Sequence, residues 1–450
     1  MEYELRIIVE KVAVASQEVV KRDTLKIYDV KRPESILDLG LGHAEQISLL
    51  EKVQNAVLAE QSVLIELETK VCSQCGQKLK KNGHRTSEFH AVFSDHEVRI
   101  QRHRCNNPEC SWQSSPTVTS LFGTSIHPEL AKLQCEQGAL YSYREAENNL
   151  EKINCQPRGI NNHTQVKRLT GKVGEVLATG NLQMPAKSEC AAPATELIIQ
   201  VDGGHIPTTE QQKRSFEALA AIVYKPENIK EIDRNHRQIV DKTCVASAES
   251  DQLKTIKAYL INAAKKQGLT RETKVVGLAD GAKNCWTVLS VFKPDCQTLE
   301  CILDWFHIAK KFQNVKQALG TALEEALESA KWELWHGKTE ECLAKLTLLR
   351  DNISEQEKQA KLKGLYDYLK QNQKYLVNYQ EREQTRQTYT SQVAESHIES
   401  LINARHKRTG KMQWTREGAH QVLQIRAMMA CNHWEQQWQS TVLSALGAVG

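Results

Sequence analysis

Apolar residues fall into two rhythms along this chain. In its middle they form short, unbroken runs at 196–201 (ELIIQV), 216–224, 243–248, 274–279 (KVVGLA) and 298–303. Runs of this length, closed by glycine or polar residues, predict strands buried on both faces. Between them, 251–267 and 283–292 have helical character, and Gly268 stops the first. From 319 to 390 the sequence is polar and almost wholly helical. Nearer the N-terminus, 5–15 and 19–30 lean towards strand and predict a hairpin. Over 42–67, Ile47, Leu50, Val53 and Val57 recur at helical spacing, which predicts one amphipathic helix with a buried stripe. Three shorter helices are expected at 129–138, 142–150 and 162–177, with Ser142 as N-cap and Glu145 completing a capping box.

Three strands, then helix, strand, helix and strand is the RNase H-like order. The fold class expected is α/β: an RNase H-like mixed five-stranded sheet with an all-α insertion, preceded by a zinc ribbon and a helix-turn-helix domain. The corresponding divisions are 1–70 for the hairpin and helix, 71–115 for the ribbon and 120–180 for the helix-turn-helix. A catalytic domain is expected over 194–318 and 391–450, interrupted by the insertion at 319–390.

The ribbon rests on cysteine spacing. Cys72 and Cys75 form a C-x₂-C pair, and Cys105 and Cys110 a looser C-x₄-C pair. Two such knuckles can direct four thiolates at one tetrahedral Zn²⁺. A redox CxxC needs a helix to begin after its first cysteine, and Gly76 with the following lysines argues against one. His84 and His103 are substitute ligands. Beyond the ribbon, the turn with Pro157 and Gly159 leads into the basic helix NNHTQVKRL. Its residues Gln165, Lys167 and Arg168 are expected to face DNA in the manner of a recognition helix.

Charge changes the picture only locally. The net charge is +4 over 450 residues, too small to announce a polyanion partner by itself. Yet 152–172 and 402–416 are basic runs without acids; either alone is an ordinary solvated face. The 13 cysteines, a start MEYELRIIVE unlike a secretory leader, and the lack of an apolar run of about 18 residues together predict a cytosolic protein with reduced thiols and no membrane partner.

The candidate chemistry lies in three acids. The run ELIIQVDGG delivers Asp202 to a strand end, KVVGLADGAK delivers Asp280, and Glu395 sits on a helix with Glu399 as its rival one turn on. Asp-Gly is also an ordinary turn dipeptide, and a helical glutamate is usually solvated. Their combination in this strand order favours a metal cage. Phosphodiester cleavage and strand transfer need charge stabilised on the attacking and leaving oxygens, which two Mg²⁺ (or Mn²⁺) ions about 3.5–4 Å apart supply.

VDGGH, ADGAKNCW, LDWFHIAKK and AESHIESLINARHKRTGKMQW together resemble the ISKra family of bacterial insertion-sequence transposases, members of the DDE class. The resemblance runs from the cysteine knuckles through Arg426. It implies catalysis by Asp202, Asp280 and Glu395 with Mg²⁺. Asp304-Trp-Phe-His307 is similar to the Asp/Cys-x-x-His motif of Mutator-like and hAT-like transposases, which implies that His307 positions a phosphate or water. The function expected is a DNA transposase, bacterial and nucleoid-associated. It would bind terminal inverted repeats and target DNA, act as a dimer or larger on DNA, and grip phosphates with Arg405, Lys407, Arg408 and Lys411. The alternatives are an inactive, domesticated DNA-binding regulator and an RNase H-like nuclease without strand transfer.

Overall fold

Five strands form a mixed sheet whose order is not their order in the chain. A computed structural model describes the chain except residues 1–2, 67–69, 234–235, 321–322, 393–394, 409–411, 432 and 448–450, and the side chains of 66, 236 and 395–399. It divides into two compact units, Met1–Thr170 with Trp438–Gly450, and Gly171–Gln437. No described helix is long and apolar enough to cross a membrane.

In the first unit, β1 (Tyr3–Val12) and β2 (Val19–Val30) pair antiparallel as a hairpin. Helix α1 (His43–Glu66) packs on the second of three antiparallel strands, β3 (Leu79–His90), β4 (Asp95–Cys105) and β5 (Gln113–Ser114). β4 alternates: His96, Val98 and Ile100 are buried, while Glu97 and Arg99 face out. Val98 and Ile100 pack with Leu58 of α1, and His96 Nδ1 lies 2.7 Å from Asn55 Oδ1. The α1 stripe expected to be buried is not: Leu50, Val53 and Val57 are exposed, and of that set only Ile47 is covered.

The same unit continues through α2 (Val118–Phe122), α3 (Pro128–Leu140) and α4 (Tyr143–Asn154) into the start of α5 (His163–Leu182), which from Gly171 belongs to the second unit. Ser142 caps α4, and Glu145 completes the capping box. Leu133, Tyr143, Ala146, Leu150 and Val166 form the core of the three helices. Gly138 brings α3 close to α5, since a Cβ there would lie 2.3 Å from Thr170 Oγ1. Arg158 pins the turn before α5 by donating to the carbonyls of Ala91, Val92 and Ser94 and to Asp95.

The second unit holds β6 (Glu196–Pro207), β7 (Ser215–Tyr224), a side hairpin of β8 (Ile229–Asp233) and β9 (His236–Ile239), and β10 (Thr243–Ser247). Then come α6 (Lys254–Lys266), β11 (Lys274–Ala279), α7 (Lys283–Leu289), β12 (Thr298–Leu303) and α8 (Trp305–Leu319). The sheet order is β10-β7-β6-β11-β12, with β7 antiparallel to both neighbours and β6, β11 and β12 mutually parallel. Both faces are covered, which is why the strands read as continuous apolar runs. Leu197, Ile199 and Val201 meet α6 and α7 through Leu260, Cys285 and Leu289.

Ile198, Ile206, Ala220, Leu278 and Ile302 form the opposite face. Over it lie α8, α9 (Glu324–Trp335), α10 (Thr339–Asp351), α11 (Gln356–Gln371), α12 (Tyr379–Gln384), α13 (Glu395–His406) and α14 (Arg416–Ala430). Each Leu, Ile or Val so enclosed contributes roughly 1.5–3 kcal/mol relative to exposure. The molecule is thus a mixed α/β protein with a five-stranded mixed sheet and a helical C-terminal region.

Candidate functional site

The register of the parallel strands builds a row of acids. Val201 of β6, Ala279 of β11 and Leu303 of β12 lie side by side, so Asp202, Asp280 and Asp304 each follow by one residue at the same level. Neighbouring strands lie about 4.8 Å apart, which brings Asp202 and Asp280 together although 78 positions separate them in sequence. Asp202 is half-buried, and one of its oxygens accepts from the Gly203 amide at 2.7 Å. Asp280 accepts from the Ala282 amide at 2.8 Å, turning the chain into α7. The buried Cys285 thiol is pushed well up, first by burial and then by the carboxylates of Asp280, Asp202 and Glu217.

Asp304 has a different character from the other two. It is 1% exposed and N-caps α8 through the Phe306 amide at 3.1 Å. It also accepts from the Ser391 amide at 2.9 Å and from the Ser391 hydroxyl. Burial raises its pKa; Ser391 and His307 oppose that rise without cancelling it. His307 Nε2 lies 3.6 Å from its carboxylate, at the edge of ion-pair range. Asp304 thereby ties the end of β12 to the segment that leads into α13.

Helix α13 lies on the face of β6 that carries Asp202. By alternation Asp202 shares that face with Ile198, Gly204 and Ile206, and Leu401 and Ile402 join the same core. Gly204 is required for this approach, because a Cβ there would lie 2.8 Å from Ile402 Cγ2. Trp414 bridges to the end of β6: its amide donates to the Pro207 carbonyl at 3.0 Å, and its carbonyl accepts from Thr209 at 3.1 Å. Glu395 is the first residue of α13, roughly 10 Å of helix before Ile402. Its side chain lies outside the described residues, as do the side chain of Glu399 and all of Lys411.

One expected DNA contact is corrected here. Arg405 is 1% exposed, with its guanidinium 4.6 Å from the centroid of the Trp414 ring and donating to Met412 Sδ at 3.1 Å. Its charge is turned inward and braces α13 rather than meeting phosphate. A basic run on a helix does not reveal which of its cations faces the core. Lys407 is exposed and Arg408 half-buried. In α5, Lys167 and Arg168 are exposed and Gln165 is half-buried, its Oε1 accepting from Arg168 Nε at 3.1 Å.

In the first unit the four cysteines converge. Their sulfurs all lie within 4.8 Å of one another, with Cys72–Cys110 at 3.8 Å and Cys75–Cys105 at 3.3 Å. Four thiolates about 2.3 Å from a tetrahedral Zn²⁺ stand about 3.8 Å apart, so the cluster could hold a structural metal such as zinc. The first knuckle turns at Gly76, with φ +70°, whose amide donates to the Cys72 carbonyl at 2.9 Å. In the second, the Asn107 amide points at Cys105 Sγ from 3.4 Å. Burial pushes the Cys72 thiol up, but the amides of Cys75 and Gln74 and the neighbouring cysteines outweigh it and bring it down to about 7.

Residues 124–439 match an uncharacterised protein family, UPF0236. The chain belongs to that family. The UPF0236 match takes in Asp202, Asp280 and Asp304, α13 and the helices of 128–182, and leaves the four cysteines outside. No curated protein matches the sequence.

Within the UPF0236 region, sequence reasoning missed the place of Asp304 in the row and missed Glu217 near it. Asp304 was legible as part of the segment with His307, but its level with Asp202 and Asp280 is set by strand register, which no local pattern reveals. Glu217 lies on β7 opposite His205, with Asn284 Nδ2 donating to it at 2.6 Å. No sequence signal distinguishes it from any other strand glutamate.

Proposed function

We propose that the chain is a DNA transposase of the DDE class with an RNase H-like catalytic domain. The observation that carries this reading is that Asp202, within β6, and Asp280, just past the end of β11, both follow an in-register pair on adjacent parallel strands, with α13 laid on the sheet face that Asp202 shares. Five strands in the order β10-β7-β6-β11-β12, the second reversed, also support the RNase H-like reading. Hard carboxylate oxygens suit Mg²⁺, which takes one or two carboxylates and keeps its remaining waters.

On this reading Asp202, Asp280 and Glu395 would hold Mg²⁺, which supplies charge stabilisation at the attacking and leaving oxygens. Water attacks the phosphodiester at the element's end, and the bond to the 3′ oxygen breaks to free a 3′-OH. That hydroxyl then attacks a target phosphodiester and displaces its 3′ oxygen. Lys167, Arg168, Lys407 and Arg408 would contact DNA backbone, and the four-cysteine ribbon would hold structural zinc.

The test is an assay with the full-length protein, Mg²⁺ and labelled duplexes carrying the DNA that flanks the coding sequence. The expected products are a nick ending in 3′-OH and a joined strand-transfer product. Nicking without joining favours a nuclease. Binding without nicking favours a DNA-binding regulator.

A further inference from the structure

The turn that presents Asp280 is gripped from the helical stretch. Gly281 sits at φ +99°, and a Cβ there would lie 2.8 Å from both Asn372 Nδ2 and Tyr368 Cε2. The Tyr368 hydroxyl donates to the Asp280 carbonyl at 2.8 Å. Asn372 is 4% exposed; its Oδ1 accepts from Trp286 Nε1 at 3.0 Å and its Nδ2 donates to the Tyr368 carbonyl at 3.0 Å. Trp286, on α7 just beyond the turn, stacks on Tyr375 with centroids 3.9 Å apart. The strand-end loop 280–286 is therefore clamped by 368–375, nearly ninety positions away in sequence.

The grip has a direction. Only a glycine at 281 lets the ring and amide come this close, and only a hydroxyl on that ring reaches the Asp280 main chain. Lys311 Nζ lies 4.3 Å from the centroid of the same ring. A carboxylate that must present oxygens to a cation gains from a fixed main chain beneath it, because a shift of a fraction of an ångström spoils coordination.

We propose that Tyr368 and Asn372 are positioning residues for Asp280, so that the helical stretch sets the divalent-cation affinity of the strand-end site. This rests on the metal-site reading above. The test uses the full chain, Mn²⁺ as probe, and Tyr368→Phe, which keeps the ring and removes one hydroxyl. Calorimetric titration should give about tenfold weaker Mn²⁺ binding. End cleavage should need correspondingly more Mn²⁺ and regain the wild-type rate at saturation. Gly281→Ala, which pushes the clamp away from the other side, should weaken Mn²⁺ binding in the same sense.

If Mn²⁺ binds the wild type in a manner lost in Asp202→Asn, yet binds Tyr368→Phe equally well, the clamp is overturned and the metal site stands. A lower saturating rate at unchanged Mn²⁺ requirement also overturns it. If Mn²⁺ binding to the wild type is indifferent to both Asp202→Asn and Asp280→Asn, the metal-site reading fails and the positioning role falls with it.

Discussion

Asp202 and Asp280 lie side by side because Val201 and Ala279, the residues before them, pair in register on parallel neighbours; β6 then runs on through Asp202 to Pro207, while β11 ends at Ala279. Nothing in the loops is needed to bring them together; the hydrogen-bonded ladder does it. Parallel register is rigid where both faces are buried, since a slip of one residue would turn every side chain to the wrong face. The main chain leading into both acids is therefore as firm as the sheet itself, and the turn at Asp280 is held further by Tyr368.

The approach of α13 to that sheet depends on an absent side chain. Gly204→Ala places a methyl against Ile402 Cγ2 and should destabilise the protein by about 1–3 kcal/mol. Urea denaturation measures this, and the paired variant Gly204→Ala/Ile402→Val should recover part of the loss. Equal stability of Gly204→Ala and wild type would mean that α13 sits further from β6.

His406 gives α13 a pH signature. It is fully buried against Trp414, with ring centroids 4.5 Å apart and Nδ1 2.9 Å from the Ile402 carbonyl. Burial, with Arg405 and Arg426 nearby, lowers its pKa to about 3. A histidine held neutral contributes stability that is fully present above its unfolded value, about 6.5, and is lost as pH falls towards 3. The loss runs at about 1.4 kcal/mol per pH unit within that window. His406→Gln should be less stable than wild type at pH 7, and the gap should narrow as urea titrations move to pH 5. A constant gap contradicts the assignment.

Arg405, in the last turn of α13, and Lys407, just past its end, should separate cleanly. Arg405→Ala removes a buried cation–π contact worth about 2 kcal/mol and should lower the thermal midpoint, whereas Lys407→Ala should not. Conversely, Lys407→Ala should weaken DNA binding across sequences and reduce the log–log salt slope by about 1. An Arg405→Ala variant that folds as well as wild type but binds DNA poorly would restore the phosphate role first expected of it.

The four-cysteine cluster predicts one zinc per chain. Cys72→Ser/Cys105→Ser should lose the metal by native mass spectrometry, and amide exchange should rise across β3 and β4, because metal binding is folding free energy for a module with so small a core. Exchange over β6 and β11 should not change. A zinc content that survives the double substitution would place the metal elsewhere.

Much of this was legible in the sequence. The five strands announce themselves as apolar runs because both faces are covered, and the Asp280-Gly step marks the end of β11; β6, however, runs on past Asp202-Gly to Pro207, because those residues still pair antiparallel with β7. The cysteine pairs are local signals and needed no tertiary information. What was hidden depended on packing between distant segments. Leu50, Val53 and Val57 looked like the buried stripe of α1, but the helix turns its Ile47, Leu58 and Ser62 side to the interior instead. Arg405 looked like a surface cation because its charge is evident and its neighbour Trp414 is nine residues away. Asp304 joins the acid row, and Tyr368 reaches Asp280, only through register and helix placement.

The central claim is that acids from the middle of β6, the end of β11 and α13 share one divalent-metal site. The most direct measurement is a crystal structure of the full chain with end DNA and Mn²⁺, read by anomalous scattering. The account predicts a peak about 2.1 Å from carboxylate oxygens of Asp202 and Asp280, with Glu395 completing the site. No peak between those aspartates, or a Glu395 carboxylate directed away from them with the metal bound elsewhere, would contradict it.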